Sequence, residues 1–144
     1  MMREQLPRAR KIYGDQHPST YMLMSRFGTI LIDESKLAEA EPLLAEAYNG
    51  MKRLSTPTAP PPNFAAVYGD CLSRLGRHRE AIPLLSDALG AFASLPAVDP
   101  ALWNRVTQAL ITSYEQTGQP DQARQIRDRA TTRAATTSTT RNGR

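Results

Sequence analysis

Three segments of the chain can be laid over one another, and this internal repetition constrains the fold more than any other feature. Residues 36–48 read KLAEAEPLLAEAY, residues 78–89 read HREAIPLLSDAL and residues 119–130 read QPDQARQIRDRA. The central alanines, Ala40, Ala81 and Ala123, anchor the alignment. Upstream of each segment lies a second pattern: Met24, Phe27, Gly28, Leu31; then Ala65, Tyr68, Gly69, Leu72; then Thr107, Leu110, Ile111, Tyr114. Each follows i, i+3, i+4, i+7, which is one face of a helix. The expected fold is therefore all-α: about three units of paired antiparallel helices in a solenoid.

Turn chemistry agrees. Gly76 and Gly118 precede the second helices of units two and three, and Ser35 stands at the corresponding place in unit one. Asp99-Pro100 offers an N-cap followed by a proline at the first helical position, and His17-Pro18-Ser19-Thr20 sits in nearly the same place in unit one. Boundaries are expected before residues 18, 62 and 100, with units at about 14–55, 62–95 and 98–130. Gly28 and Gly69 in the first helices, with Ala40, Ala47, Ala81, Ala88, Ala123 and Ala130 in the second, allow close helix approach.

The phrase GDQHPST, followed by a helix and then EAEPLL, resembles a tetratricopeptide repeat of the kinesin-light-chain type, whose period near 42 residues fits this spacing. The likeness spans roughly residues 12–130. The ending TGQPDQARQIRDR also resembles the terminal repeats of bacterial serine/threonine kinases and regulators, although no glycine-rich loop, HRD or DFG motif is present. The resemblance implies a scaffold that binds a peptide or partner protein along a concave groove lined by the first helices. The positions implied are Met22, Ser25, Arg26, Thr29 and Asp33; Asn63, Ala66, Val67, Asp70 and Arg74; and Arg105, Gln108 and Thr112. Where that family carries paired asparagines, this chain has Ser25-Arg26, Ala66-Val67 and Gln108-Ala109. A lysine and asparagine clamp for a terminal carboxylate is not visible, and Asp33 and Asp70 would repel one. His17 takes the structural His-Pro place of the family, and Pro42 and Pro83 fall where the family also has proline inside the second helix.

Composition narrows the remaining classes. The formal charge is +4, but Arg3, Arg8, Arg10 and Lys11 crowd one end and Arg133, Arg141 and Arg144 the other. Residues 12–130 between them are slightly acidic, a poor platform for phosphates, so a helical-repeat nucleic-acid binder is the weaker alternative. A single cysteine, Cys71, and two histidines, His17 and His78, supply neither a disulfide nor a structural metal site. Cys71 and His78 are too differently placed to read as a thiol and its base, so no catalytic residue, cofactor or metal is expected. No stretch has the length of a membrane span, and a soluble cytoplasmic protein is expected.

Residues 4–13 (EQLPRARKIY) read as a second helix of an upstream repeat. On that reading the chain is the C-terminal part of a longer array, and residues 1–13 could support self-association. Residues 131–144 are rich in Thr, Ala and Arg and are expected to be a disordered tail. The segment 56–62 (TPTAPPP) is expected to be an extended connection between units.

Overall fold

The computed structural model describes residues 2–55 and 60–142, with side chains described outside Met2 and 134–142. Among the described residues there are seven helices and no strands: α1 (Met2–Tyr13), α2 (Pro18–Asp33), α3 (Leu37–Leu54), α4 (Pro62–Arg74), α5 (His78–Ala93), α6 (Pro100–Gln116) and α7 (Pro120–Asn142). The chain is all-helical and repeat-like.

The prolines Pro18, Pro62 and Pro100 open α2, α4 and α6 at the position where a missing backbone N–H costs nothing. Two of these starts are capped by the preceding side chain: His17 Nδ1 accepts from Ser19 N at 3.1 Å, and Asp99 Oδ1 accepts from Ala101 N at 3.0 Å. Each helix of this set then ends in the same turn. Lys36 N bonds Leu31 O at 2.8 Å, Arg77 N bonds Leu72 O at 2.9 Å and Gln119 N bonds Tyr114 O at 2.8 Å. This closure needs one left-handed residue, supplied by Ser35 (φ 62°), Gly76 (φ 83°) and Gly118 (φ 75°). The three left-handed positions repeat at intervals of 41 and 42 residues, in step with the central alanines.

These turns fold each helix back on its neighbour, so α2 packs on α3, α4 on α5 and α6 on α7. Helices α2, α4 and α6 also touch in succession, whereas among the described residues the backbones of α3, α5 and α7 stay apart. The stack is thus more closely spaced on the side of α2, α4 and α6. Within the first two pairs a small residue admits a large one: a Cβ on Gly28 would meet Leu44 Cδ2 at 2.5 Å, and one on Gly69 would meet Leu85 Cγ at 2.8 Å. Leu44 and Leu85 are fully buried, each contributing roughly 1.5–3 kcal/mol by removal from water. Pro42 and Pro83 sit inside α3 and α5 without ending either helix.

At the N-terminus, α1 buries Leu6 against α2 and α3 in a cluster that includes Tyr21, Met24, Ala47 and Met51, and Ala9 is buried as well. At the C-terminus the structure departs from the expected disordered tail, because α7 runs through 131–142 as helix. The hydroxyls of Thr131 and Thr132 donate to the carbonyls of Arg127 and Asp128 at 2.9 Å each, so these polar residues are satisfied within the helix. Arg133 lies over the Trp103 ring at 4.3 Å and donates to Phe92 O, tying the extension to α5 and α6. In the expected connection TPTAPPP, residues 56–59 lie outside the described residues, as do 143–144 of the tail.

Candidate functional site

The inner layer of α2, α4 and α6 carries the residues expected to line a groove, and the structure divides them into two groups. Met22, Arg26, Asp33, Asn63, Arg74, Gln108 and Thr112 are exposed, and Thr29 and Arg105 are half-buried. Ser25, Ala66 and Val67 are buried between the helices, and Asp70 is buried too although it lines the cleft described below. The reason is the direct contact between successive inner helices. Val67 packs with Leu31, Ile32 and Leu44 on its unit-one side, and Ala66 joins the cluster containing Trp103, Val106 and Leu110 on the other.

The charged groups of α4 and α6 are engaged with each other and with Asp33 at the end of α2. The Arg105 guanidinium donates Nη1 to Asp70 Oδ2 and Nη2 to Asp33 Oδ1, both at 2.9 Å, so that one side chain on α6 ties together α4 and the end of α2. Asp70 accepts a further bond from Arg74 Nε at 3.0 Å. Two arginines thus meet two aspartates, and the cluster is electrically balanced. Burial opposes the charge on Arg105, but its bonds to Asp33 and Asp70 outweigh that cost and raise its pKa further above the ordinary value. The Asp70 carboxylate is the buried member, at 2% exposure, and such a group is tolerated inside only because it is paired.

Beside this cluster an open cleft of about 430 Å³ lies between α4 and α6. Its α6 wall presents Asn104, Gln108 and Thr112 at i, i+4 and i+8, a row of uncharged donors and acceptors. On the α4 wall, Arg74 keeps about half of its side chain in solvent. Asn104 was not among the expected positions, although its spacing from Gln108 places both on one face of α6.

A second polar chain crosses the same seam below the cleft. Ser73 Oγ donates to Ala109 O at 3.2 Å, Ser113 Oγ donates to Ser73 Oγ at 2.9 Å, and His78 Nδ1 lies 3.0 Å from Ser113 Oγ. Each hydroxyl has one proton to give, and both are committed, so the His78 ring must donate from Nδ1 to Ser113. His78 therefore cannot draw a proton from this buried serine. Cys71 is equally removed from chemistry: its Sγ faces Leu37 O at 3.8 Å, and burial, then the Asp70 charge, pushes its pKa up to about 11. His78 and Cys71 thus have separate partners.

Among the described residues no group of His, Cys, Asp and Glu is arranged to hold a metal ion, and no helix is long and apolar enough to cross a membrane. No protein-family model matches the chain, and no curated protein matches it.

Proposed function

We propose that this chain is a non-catalytic interaction scaffold of the tetratricopeptide kind, cytoplasmic, which binds an extended peptide segment of a partner protein in the cleft between α4 and α6. The observation that carries the reading is the row Asn104, Gln108, Thr112, which lines an open cleft beside a charge cluster already balanced within itself. Uncharged amides and hydroxyls at helical spacing suit the alternating carbonyls and N–H groups of a peptide backbone. Arg74, paired with Asp70 and half in solvent, closes the edge of the cleft without adding unmatched charge, which favours a segment of low net charge. The kinesin-light-chain likeness of the sequence supports the same class, and the turns repeating at 41 and 42 residues are in keeping with it.

Nucleic acid is not the proposed partner. The inner-face cations Arg74 and Arg105 already pair with carboxylates, so few counterions would be displaced by a phosphate backbone.

Peptide display against the immobilised full chain tests this. Selected peptides should lose at least about tenfold in affinity, or roughly 1.4 kcal/mol, for the Asn104→Ala/Gln108→Ala variant, with NMR shift changes concentrated on α4 and α6. Failure to select any peptide, or binding indifferent to that double substitution, defeats the reading.

A further inference from the structure

Arg105 holds two carboxylates at the same distance but in opposite settings. Asp70 takes Nη1 from inside the fold: only 3% of its side chain is in solvent, and Arg74 Nε holds it from α4 as well. Asp33 takes Nη2 from the surface, with 59% of its side chain in solvent. Taking Asp70 away would strand a charge in the interior. An ion pair with one exposed member, such as Asp33 with Arg105, contributes far less, because water and salt compete for both groups.

Its own helix does not favour Asp33. It is the last residue of α2, where the carbonyl end of a helix repels negative charge. Among the described residues the backbones of α2 and α6 stay apart, so the contact joins helices that otherwise do not meet. Arg105, Asp70 and Arg74 all line the cleft between α4 and α6, and Asp33 does not. One arm of a cleft arginine is thus fixed to a buried partner, and the other is lent to an exposed one outside the cleft.

We propose that Asp33 is a stand-in for a ligand carboxylate: a Glu or Asp side chain of a segment lying in the cleft takes over Arg105 Nη2, and Asp33 is released to water. This rests on the reading of the cleft as a peptide site and adds the one charged group that the segment should carry. The exchange leaves the charge at the guanidinium unaltered, since one carboxylate departs as another arrives and the bond to Asp70 is kept. A second acid would meet no unmatched cation, because Arg74 stays with Asp70, so the segment is acidic at one position only. Arg105 stands between Asn104 and Gln108 on α6, which places that acid in the interior of the segment and not at its end. In the free chain the Asp33 contact is autoinhibitory, as it occupies the arm that the ligand needs.

The test uses two end-capped pentapeptides of Ser and Thr, one with Glu and one with Gln at the centre, titrated into the full chain and followed by NMR. In the wild type the Glu peptide should be only slightly preferred, because it must displace Asp33, and the Asp33 carboxyl carbon signal should move with the Glu peptide alone. Asp33→Ala leaves the arm open and should bind the Glu peptide at least about tenfold more tightly than the wild type does, with the Gln peptide unchanged. Circular dichroism should show this variant melting close to the parent, because the position is exposed. Arg105→Lys, whose single ammonium stays with Asp70, should abolish the difference between the peptides. Asn104→Ala/Gln108→Ala should weaken both peptides alike and preserve their ratio. A Gln peptide with a free terminal carboxylate should behave as the capped one; if it matches the Glu peptide, the acid belongs to a chain end and the proposal is overturned. Equal affinities of Asp33→Ala for the Glu and Gln peptides overturn the exchange and leave the cleft reading intact, as does an Asp33 signal that stays still while the Glu peptide saturates the wild type. Failure of both peptides to bind any of these chains overturns the two readings together.

Discussion

The seam between α2 and α4 and the seam between α4 and α6 occupy equivalent places in the stack, yet they are made of opposite materials. In the first, Leu31, Ile32 and Leu44 meet Val67 and Cys71, an apolar contact. The second has apolar packing too, but across it run the Arg105–Asp70 pair and the His78–Ser113–Ser73 chain. The backbone spacing is set elsewhere, by the repeated turns and by the glycines that receive Leu44 and Leu85. Seam chemistry is thus free to vary from unit to unit while the architecture holds. A buried, directional network has one satisfied arrangement, whereas an apolar contact tolerates sliding, so the polar seam is the one that fixes register between α4 and α6 and hence the shape of the cleft.

The largest effect should come from breaking the polar seam on one side. Asp70→Ala leaves Arg105 held partly inside with only Asp33 for company, and should cost about 2–3 kcal/mol. That is below the ~3–5 kcal/mol of a wholly enclosed pair, because a fifth of the Arg105 side chain reaches solvent. Urea denaturation measures it. Converting the seam to the material of its neighbour, with Asp70→Leu and Arg105→Met together, should bring stability back to within about 1 kcal/mol of the parent. The double variant should still bind cleft peptides less well if register is what the network supplies. Equal stability of Asp70→Ala and the parent would show that the network does not hold α6 to α4.

The second test separates the seams by pH. Cys71 in the apolar seam has its folded pKa pushed up to about 11 against an ordinary 9.0, chiefly by burial. The folded state therefore holds its proton more tightly than the unfolded state. The stabilisation is complete below pH 9 and is lost as pH rises from 9 towards 11, by roughly 2–3 kcal/mol. Tyr48 and Tyr68, both raised first by burial, act in the same direction at higher pH. Denaturation midpoints measured across that range should fall, and Cys71→Ala should flatten the portion between 9 and 11. The ion pair of the other seam is insensitive there, since Arg105 stays protonated. An unchanged slope in Cys71→Ala would mean that the thiol titrates as freely in the folded chain as in the unfolded one.

Much of this architecture is readable in the residues. Helical period and the prolines at 18, 62 and 100 locate the inner helices, and the glycines at 76 and 118 locate their ends, because those signals act within one turn of chain. The inner face is less legible. Ala66 and Val67 stand beside the core stripe in sequence, and nothing local says that the flank they occupy is covered by a neighbouring unit. Arg105 reads as a solvated arginine because its partners are 35 and 72 residues away. The helix at 131–142 is hidden in the sequence for a related reason: its polar composition argues against a core. It needs none, being carried on from α7 and fastened through Arg133 to Trp103 and Phe92.

The smallest predicted effect concerns the three turns, where the units are most alike and differ in one atom group. Ser35 adopts φ 62° at the place where Gly76 and Gly118 adopt 83° and 75°. A side chain in the left-handed region costs about 1–2 kcal/mol, and glycine gives back part of that through the entropy it loses on folding. Ser35→Gly should therefore stabilise the chain by about 0.5–1 kcal/mol, seen as a raised thermal midpoint. Gly76→Ala and Gly118→Ala should each destabilise by a similar amount, because a Cβ at either position meets only open space and backbone strain is the sole penalty. If Ser35→Gly gains what Gly76→Ala loses, the turns are energetically interchangeable, and the difference between the units lies in their seams. If it gains nothing, the first turn has contacts that compensate for its strain, and unit one is built on different terms from the other two.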